Sequence, residues 1–214
     1  MTSLGRSAFF MMIVLLIAGC ASVPETRFYT LSVGLEPGIK ALPRDLPTPI
    51  FIDILPVNVP ERLARPQLVV RSRDSGPETP LFILEQDRWS SPFNYELRDA
   101  FASGIANLTG AVNRAGRGRT PDQIVYRIAI ELSQLDAIID DSVKARFSWT
   151  ITRPVDARSV ACYAVITEPV AAGVEGVVEG VQRAVAGVVT DISKNVIELD
   201  RGHVPTCAVR KEAL

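Results

Sequence analysis

The sequence predicts an α+β fold: an antiparallel or mixed β-sheet with two long helices packed on one face. Three observations lead there. Val125–Leu135 and Val143–Thr152 alternate apolar and polar residues with period two, the pattern of strands with one buried face. Two other segments, beginning near Phe93 and Ala172, repeat apolar residues at helical spacing. The remaining apolar runs are short and separated by Pro- and Gly-rich connections, so strands outnumber helices. With 214 residues, 47% of them apolar and 22% charged, the chain has room for one such domain, and neither a disordered nor a collagen-like chain fits.

The N-terminus stands apart. Ala8 to Ala18 is an uninterrupted apolar run behind Arg6 and the α-amino group, which is the layout of a signal peptide. As a helix it would rise roughly 16 Å, about half of a ~30 Å hydrocarbon core, so it targets the chain and does not span. Ile17-Ala18-Gly19-Cys20 follows and resembles a bacterial lipobox. That resemblance implies removal of residues 1–19 and attachment of a diacylglycerol and an N-acyl chain, a palmitate for example, to Cys20. An ordinary cleaved signal ending at a cysteine is the other reading. Two or three acyl chains, at about 0.8 kcal/mol per buried methylene, anchor firmly where one is marginal. Ala21, in place of an aspartate that would signal inner-membrane retention, implies the periplasmic face of the outer membrane. After cleavage 22 basic residues face 24 acidic ones, a formal charge of −2. A chain so balanced is not a nucleic-acid binder, since such proteins need clustered Lys and Arg.

With Cys20 assigned to lipid, Cys162 and Cys207 remain as an even pair in an oxidising compartment. A disulfide closing about 46 residues is the natural reading, with two unrelated buried thiols as the alternative. No metal is expected, because His203 is the only histidine and no Cys-x-x-Cys occurs.

Residues 20–26 read as a lipidated tether and 27–214 as a single domain. Arg27–Val33 has strand content, Glu36–Pro49 is an irregular Pro-rich connection, and Ile50–Leu55 and Gln67–Arg71 are strands. The loop Pro56–Pro66 has room for one helical turn. Residues 72–80 form a turn, and Leu81–Glu85 returns as the second arm of a hairpin. A helix starts after Ser90-Ser91-Pro92, with a Ser cap and Pro in its first turn. Phe93, Leu97, Phe101, Ile105 and Leu108 make its apolar stripe, Glu96 and Asp99 sit on its solvated face, and Gly110 ends it. Beyond it, Tyr126, Ile128, Ile130, Leu132 and Gln134 share one face of a strand. Val143, Ala145, Phe147, Trp149 and Ile151 share one face of the next, across a turn at Asp140-Asp141. A further strand, Ala161–Thr167, would place Cys162 in the sheet. The final helix, Ala172–Leu199, carries a valine stripe from Val174 to Val196, with Glu175, Glu179, Gln182, Arg183, Asp191 and Lys194 outside it. Its glycines and valines make it a poor helix in isolation, so packing on the sheet must stabilise it. The competing reading, a membrane-surface helix, lacks the expected Trp, Phe and Lys content.

No catalytic constellation emerges. There is no Gly-x-Ser-x-Gly elbow, His203 has no triad context, and Gly116-Arg117-Gly118-Arg119 lacks the Gly-Lys-Ser/Thr of a phosphate loop. The chain reads as no enzyme, with no cofactor beyond the acyl groups on Cys20. What stands out instead is Arg62, Arg65 and Arg71 between and beyond Pro60 and Pro66, and the pair Arg88-Trp89 at a helix entrance. Arg and Trp are enriched at protein interfaces, which makes these five residues candidates for partner binding. Taken singly, each has a plainer explanation: Trp89 plugs the sheet edge and Arg88 neutralises a neighbouring carboxylate.

In order, the lipobox, Phe28-Tyr29-Thr30-Leu31, Val59-Pro60 through Arg71 with Arg65-Pro66-Gln67, and Arg88-Trp89-Ser90-Ser91-Pro92 resemble the ABC-type transport auxiliary lipoproteins of the PqiC/YmbA kind. The resemblance extends to about residue 170. It implies a non-catalytic accessory of a lipid transporter built from an MCE-domain protein, a permease and an ATPase, acting between inner and outer membranes. The expected partners are the MCE component, outer-membrane lipid and further copies in a homo-oligomer. A structural or assembly role at the outer membrane, without transport, is the alternative.

Overall fold

The computed structural model describes residues 24–31, 49–73, 80–114 and 123–207. The leader at 1–19, Cys20, and Gly116 to Arg119 lie outside the described residues, as does most of the Glu36–Pro49 connection and of the turn at 72–80. The strands are β1 (Arg27–Tyr29), β2 (Phe51–Ile54), β3 (Gln67–Val70), β4 (Phe82–Trp89), β5 (Val112–Asn113), β6 (Val125–Ile138), β7 (Ser142–Arg153) and β8 (Arg158–Pro169). The helices are α1 (Phe93–Thr109) and α2 (Gly173–Asp200), and a single 3₁₀ turn at Glu61–Leu63 occupies the loop where one helical turn is expected.

The strands form two mixed sheets, ordered β1-β4-β3 and β5-β2-β6-β7-β8. Three antiparallel pairs, β3/β4, β6/β7 and β7/β8, are the hairpins that short connections favour. The early strands behave differently: β1 pairs in parallel with β4, and β2 lies in parallel between β5 and β6. Arg71 joins the sheets, since its N–H donates to Ala137 O at 2.8 Å and its carbonyl accepts from Ile139 N at 3.1 Å. The architecture is thus the α+β arrangement expected, with the sheet divided in two.

Alternation along β7 holds throughout, with Val143, Ala145, Phe147, Trp149 and Ile151 all buried. In β6 it breaks. Leu132 pairs with Phe147 but Gln134 pairs with Arg146, so one extra residue bulges at Ser133 and the buried face continues through Leu135 and Ala137. Gln134 is therefore not on the core face, because a bulge shifts the period-two phase by one residue. β4 runs four residues beyond the expected Glu85, which makes Trp89 the end of a strand.

Both helices cover the buried face of the larger sheet, and Phe101 of α1 meets Phe147 of β7 edge-on at 5.8 Å between ring centroids. Their approach to each other and to the sheet depends on two glycines. A Cβ on Gly104 would stand 2.8 Å from Val189 of α2, and one on Gly180 would stand 2.6 Å from Val170 and 3.1 Å from Val143. The stripe Val177 to Val196 is buried as its spacing predicts. Asp191, placed outside the stripe by spacing alone, is buried too, as are Ser193 and Asn195. Gly110 closes α1 in the left-handed conformation, its N–H donating to Ala106 O at 2.8 Å.

Candidate functional site

The start of α1 is not capped by serine. Pro92 occupies the N-cap position without a side-chain hydrogen bond, and the serines turn to Glu96 instead. Its carboxylate accepts from Ser90 Oγ at 2.6 Å, Ser91 Oγ at 2.8 Å, Leu31 N at 3.0 Å and Thr30 Oγ1 at 3.1 Å. Glu96 is only 7% exposed, so the expected solvated position is corrected to a buried hub. Burial pushes its carboxyl up, but the donors from Ser90, Leu31, Ser91 and Thr30 together outweigh that and hold it below the ordinary value. Seryl hydroxyls before a helix with an acid in its first turn were visible in the sequence. The partners at Thr30 and Leu31 were not.

A second cluster straps β1 to the body. Arg27 reaches Asp87 of β4 at 2.7 Å and Glu175 of α2 at 2.6 Å, and Tyr29 Oη donates towards the same two carboxylates, at 3.1 and 3.3 Å. Thr26 Oγ1 donates to Gln86 at 2.9 Å, and Gln182 of α2 donates to the Thr30 carbonyl at 2.8 Å. Burial and the Asp87 contact push the Tyr29 phenol up to about 12, so it stays a donor across the physiological range.

The five arginine and tryptophan candidates scatter. Trp89 is 4% exposed and stacks on Phe93 at 5.2 Å, so it is a core residue and not contact surface. Arg88 donates to Glu85 O at 2.7 Å and pairs with the Glu85 carboxylate at 3.2 Å, as the plainer reading of it has it. Arg71 faces Asp136 at 3.6 Å, and Arg65 is half-buried, its carbonyl accepting from Phe93 N at 3.3 Å. Arg62 alone of the five is exposed, on the 3₁₀ turn beside exposed Glu61 and Ala64.

At the other end of α2, Trp149 Nε1 donates to Asn195 Oδ1 at 3.0 Å and Asn195 Nδ2 to Thr206 O at 3.4 Å. Tyr126 Oη donates to Asp200 at 3.1 Å, and burial together with that carboxylate raises the phenol's pKa. Cys162 and Cys207 are joined by a disulfide, their Cα atoms 5.5 Å apart, which ties the segment after α2 to β8. His203 sits 3.0 Å from Glu198 and meets neither cysteine in a metal-like group. On the open face of the larger sheet lies a shallow depression of about 620 Å³, floored by small side chains including Ala129, Ser148, Thr150 and Ala161.

Among the described residues there is no group of three or more His, Cys, Asp or Glu placed to hold a metal, and no helix long and apolar enough to cross a membrane. The polar groups around Glu96 and Arg27 are paired with one another. What they supply is attachment of an N-terminal strand to the β4 sheet and both helices. The family of ABC-type transport auxiliary lipoprotein components matches residues 29–193, and the chain belongs to it. No curated protein matches the chain. Among the solved structures that match are two that share the fold over most of the chain. A protein from Xanthomonas campestris is 14% identical with a TM-score of 0.62, covering 82% of this chain and 98% of its own. An uncharacterized protein is 16% identical with a TM-score of 0.60, covering 80% of this chain and 99% of its own. The family defines a lipoprotein of the cell envelope with an accessory role in ABC-type transport.

Proposed function

We propose that the chain is a lipid-anchored scaffold at the periplasmic face of the outer membrane. In this reading it is acylated on Cys20 after removal of residues 1–19 and docks the MCE-domain component of an ABC lipid transporter. The observation that carries the reading is the strap at Arg27. A pull or orientation imposed at the N-terminus passes through Arg27 and Tyr29 directly to Asp87 and Glu175, and so to a sheet and the longest helix. A tethered docking platform needs that coupling, whereas a freely diffusing protein gains little from it.

Family membership supports the transport role. Arg62, exposed on its turn, and the half-exposed Arg88 remain the candidates for partner contact, with Arg65 and Arg71 supporting the turn and strand that present them. The test is co-purification of the MCE component with acylated protein from detergent-solubilised envelopes, comparing wild type with Arg62→Glu/Arg88→Glu. Loss of the partner with unchanged thermal stability supports the assignment. Equal recovery removes these residues from the docking surface, and no recovery with wild type removes the MCE partnership.

A further inference from the structure

The strap also fixes the end of the molecule from which the chain enters. Arg27 bonds Glu175 in the first turn of α2, and Thr30 bonds Gln182 two turns further along. β1 therefore runs beside α2 in the same direction, and residues before Arg27 leave past the N-terminal end of that helix. Thr26 is still fastened to Gln86, so from Cys20 to Thr26 the chain can reach roughly 21 Å when fully extended. The 28 residues of α2 span about 42 Å away from that end.

Side chains alternate along β1. Arg27 and Tyr29 turn to the carboxylates, and Phe28 between them turns outward with 66% of its surface exposed. An aromatic residue placed in a strand eight positions from an acylated cysteine stays within roughly 28 Å of the anchor, close enough to reach the bilayer interface. The same end carries exposed Asp140 and Asp141, near which α2 begins, since Gly173 N donates to Asp140 at 2.7 Å. Exposed Arg27, and Arg73 two residues beyond the Arg71–Ile138 bridge, add cations to this end, so acids and bases are mixed there and a zwitterionic lipid surface is the fitting partner.

We propose that the domain stands end-on at the membrane, the N-terminal end of α2 lowermost. Phe28 seats in the interfacial zone of zwitterionic phospholipid as a second, non-covalent contact, and the turn at 154–157 is held about 40 Å out. The proposal rests on acylation of Cys20. Full-length acylated protein carrying Phe28→Trp, or Val155→Trp in the distal turn, is reconstituted in vesicles of phosphatidylcholine and phosphatidylethanolamine, with and without brominated acyl chains. Val155 is 74% exposed, and native Trp89 and Trp149 are buried, so the parent protein supplies the background. The expected result is blue-shifted emission and bromine quenching at position 28, with emission at position 155 the same on both kinds of vesicle. Quenching at neither position, or at both, overturns end-on seating. A shift at position 28 that needs added MCE component and not lipid overturns it in favour of a protein contact. Flotation of the vesicles and the mass of the N-terminal peptide report acylation separately. An unacylated Cys20 overturns the anchoring and this proposal together, whereas acylation without quenching overturns this proposal alone.

Discussion

Ser90 Oγ donates to the carboxylate of Glu96 at 2.6 Å, the shortest of four hydrogen bonds that converge on this one side chain at the start of α1. Two of the donors belong to Thr30 and Leu31, so one acid joins the end of the N-terminal strand to the helix. Hydrogen bonds to a charged group contribute about 1.5–3 kcal/mol each, and the loss of the acid strands the buried N–H of Leu31. Glu96→Ala is expected to lower unfolding stability by about 3 kcal/mol, measured by urea titration.

The same residue sets a pH dependence. Its carboxyl is held below the ordinary 4.5 in the folded state, so the stability it contributes is fully present above that value and is lost as pH falls through the folded pKa. Wild type should therefore lose stability more steeply than Glu96→Gln below about pH 4.5. Parallel slopes in acid titrations followed by circular dichroism would show that the depression is absent.

Trp89→Ala removes a buried ring stacked on Phe93 and is expected to cost about 3–5 kcal/mol, so any loss of partner binding will track unfolding. Arg62→Glu, on an exposed turn, should stay within about 0.5 kcal/mol of wild type. Calorimetry of the two variants separates the core residue from the surface one.

Gly104→Ala should destabilise the protein, although alanine is the better helix former by about 1 kcal/mol. The new Cβ would lie 2.8 Å from Val189 Cγ1, and overpacking of this kind costs about 1–3 kcal/mol. Gly104→Ala/Val189→Ala should recover part of the loss beyond additivity, and a double-mutant cycle with no coupling would refute the close contact.

Cys162→Ala/Cys207→Ala opens a link between residues 45 apart in sequence, for which loop-closure entropy gives about 4 kcal/mol as an upper figure. The double variant should unfold at the same urea concentration with and without reductant, and wild type should fall towards it when reduced.

Much of this architecture is written in local pattern. The valines of α2 and the alternation of Val143 to Ile151 announce their own burial, because each face is defined within one element. The bulge at Ser133 shows in the run from Tyr126 to Ile138 only as a change of phase, the apolar positions moving from Tyr126, Ile128, Ile130 and Leu132 to Leu135 and Ala137. The parallel placements of β1 and β2 are silent, since a short apolar strand does not name its neighbour. Glu96 reads as a surface acid on helical spacing alone, because two of its four donors lie 65 and 66 residues away. Composition marks Trp89 and Arg88 as interface candidates and equally allows an edge plug and a carboxylate's partner. The extension of β4 to residue 89 turns one inward and leaves the other paired with Glu85.

The parallel strands impose an order on folding. β2 must wait for β6, and Arg27 must wait for Glu175, 148 residues downstream. A chain that emerges N-terminus first therefore leaves β1 unpaired until β4 follows and β2 until β5 and β6 follow, and the strap from Arg27 to α2 closes last. Such non-local closure is slow, and strand edges left unpaired in the meantime are where aggregation starts.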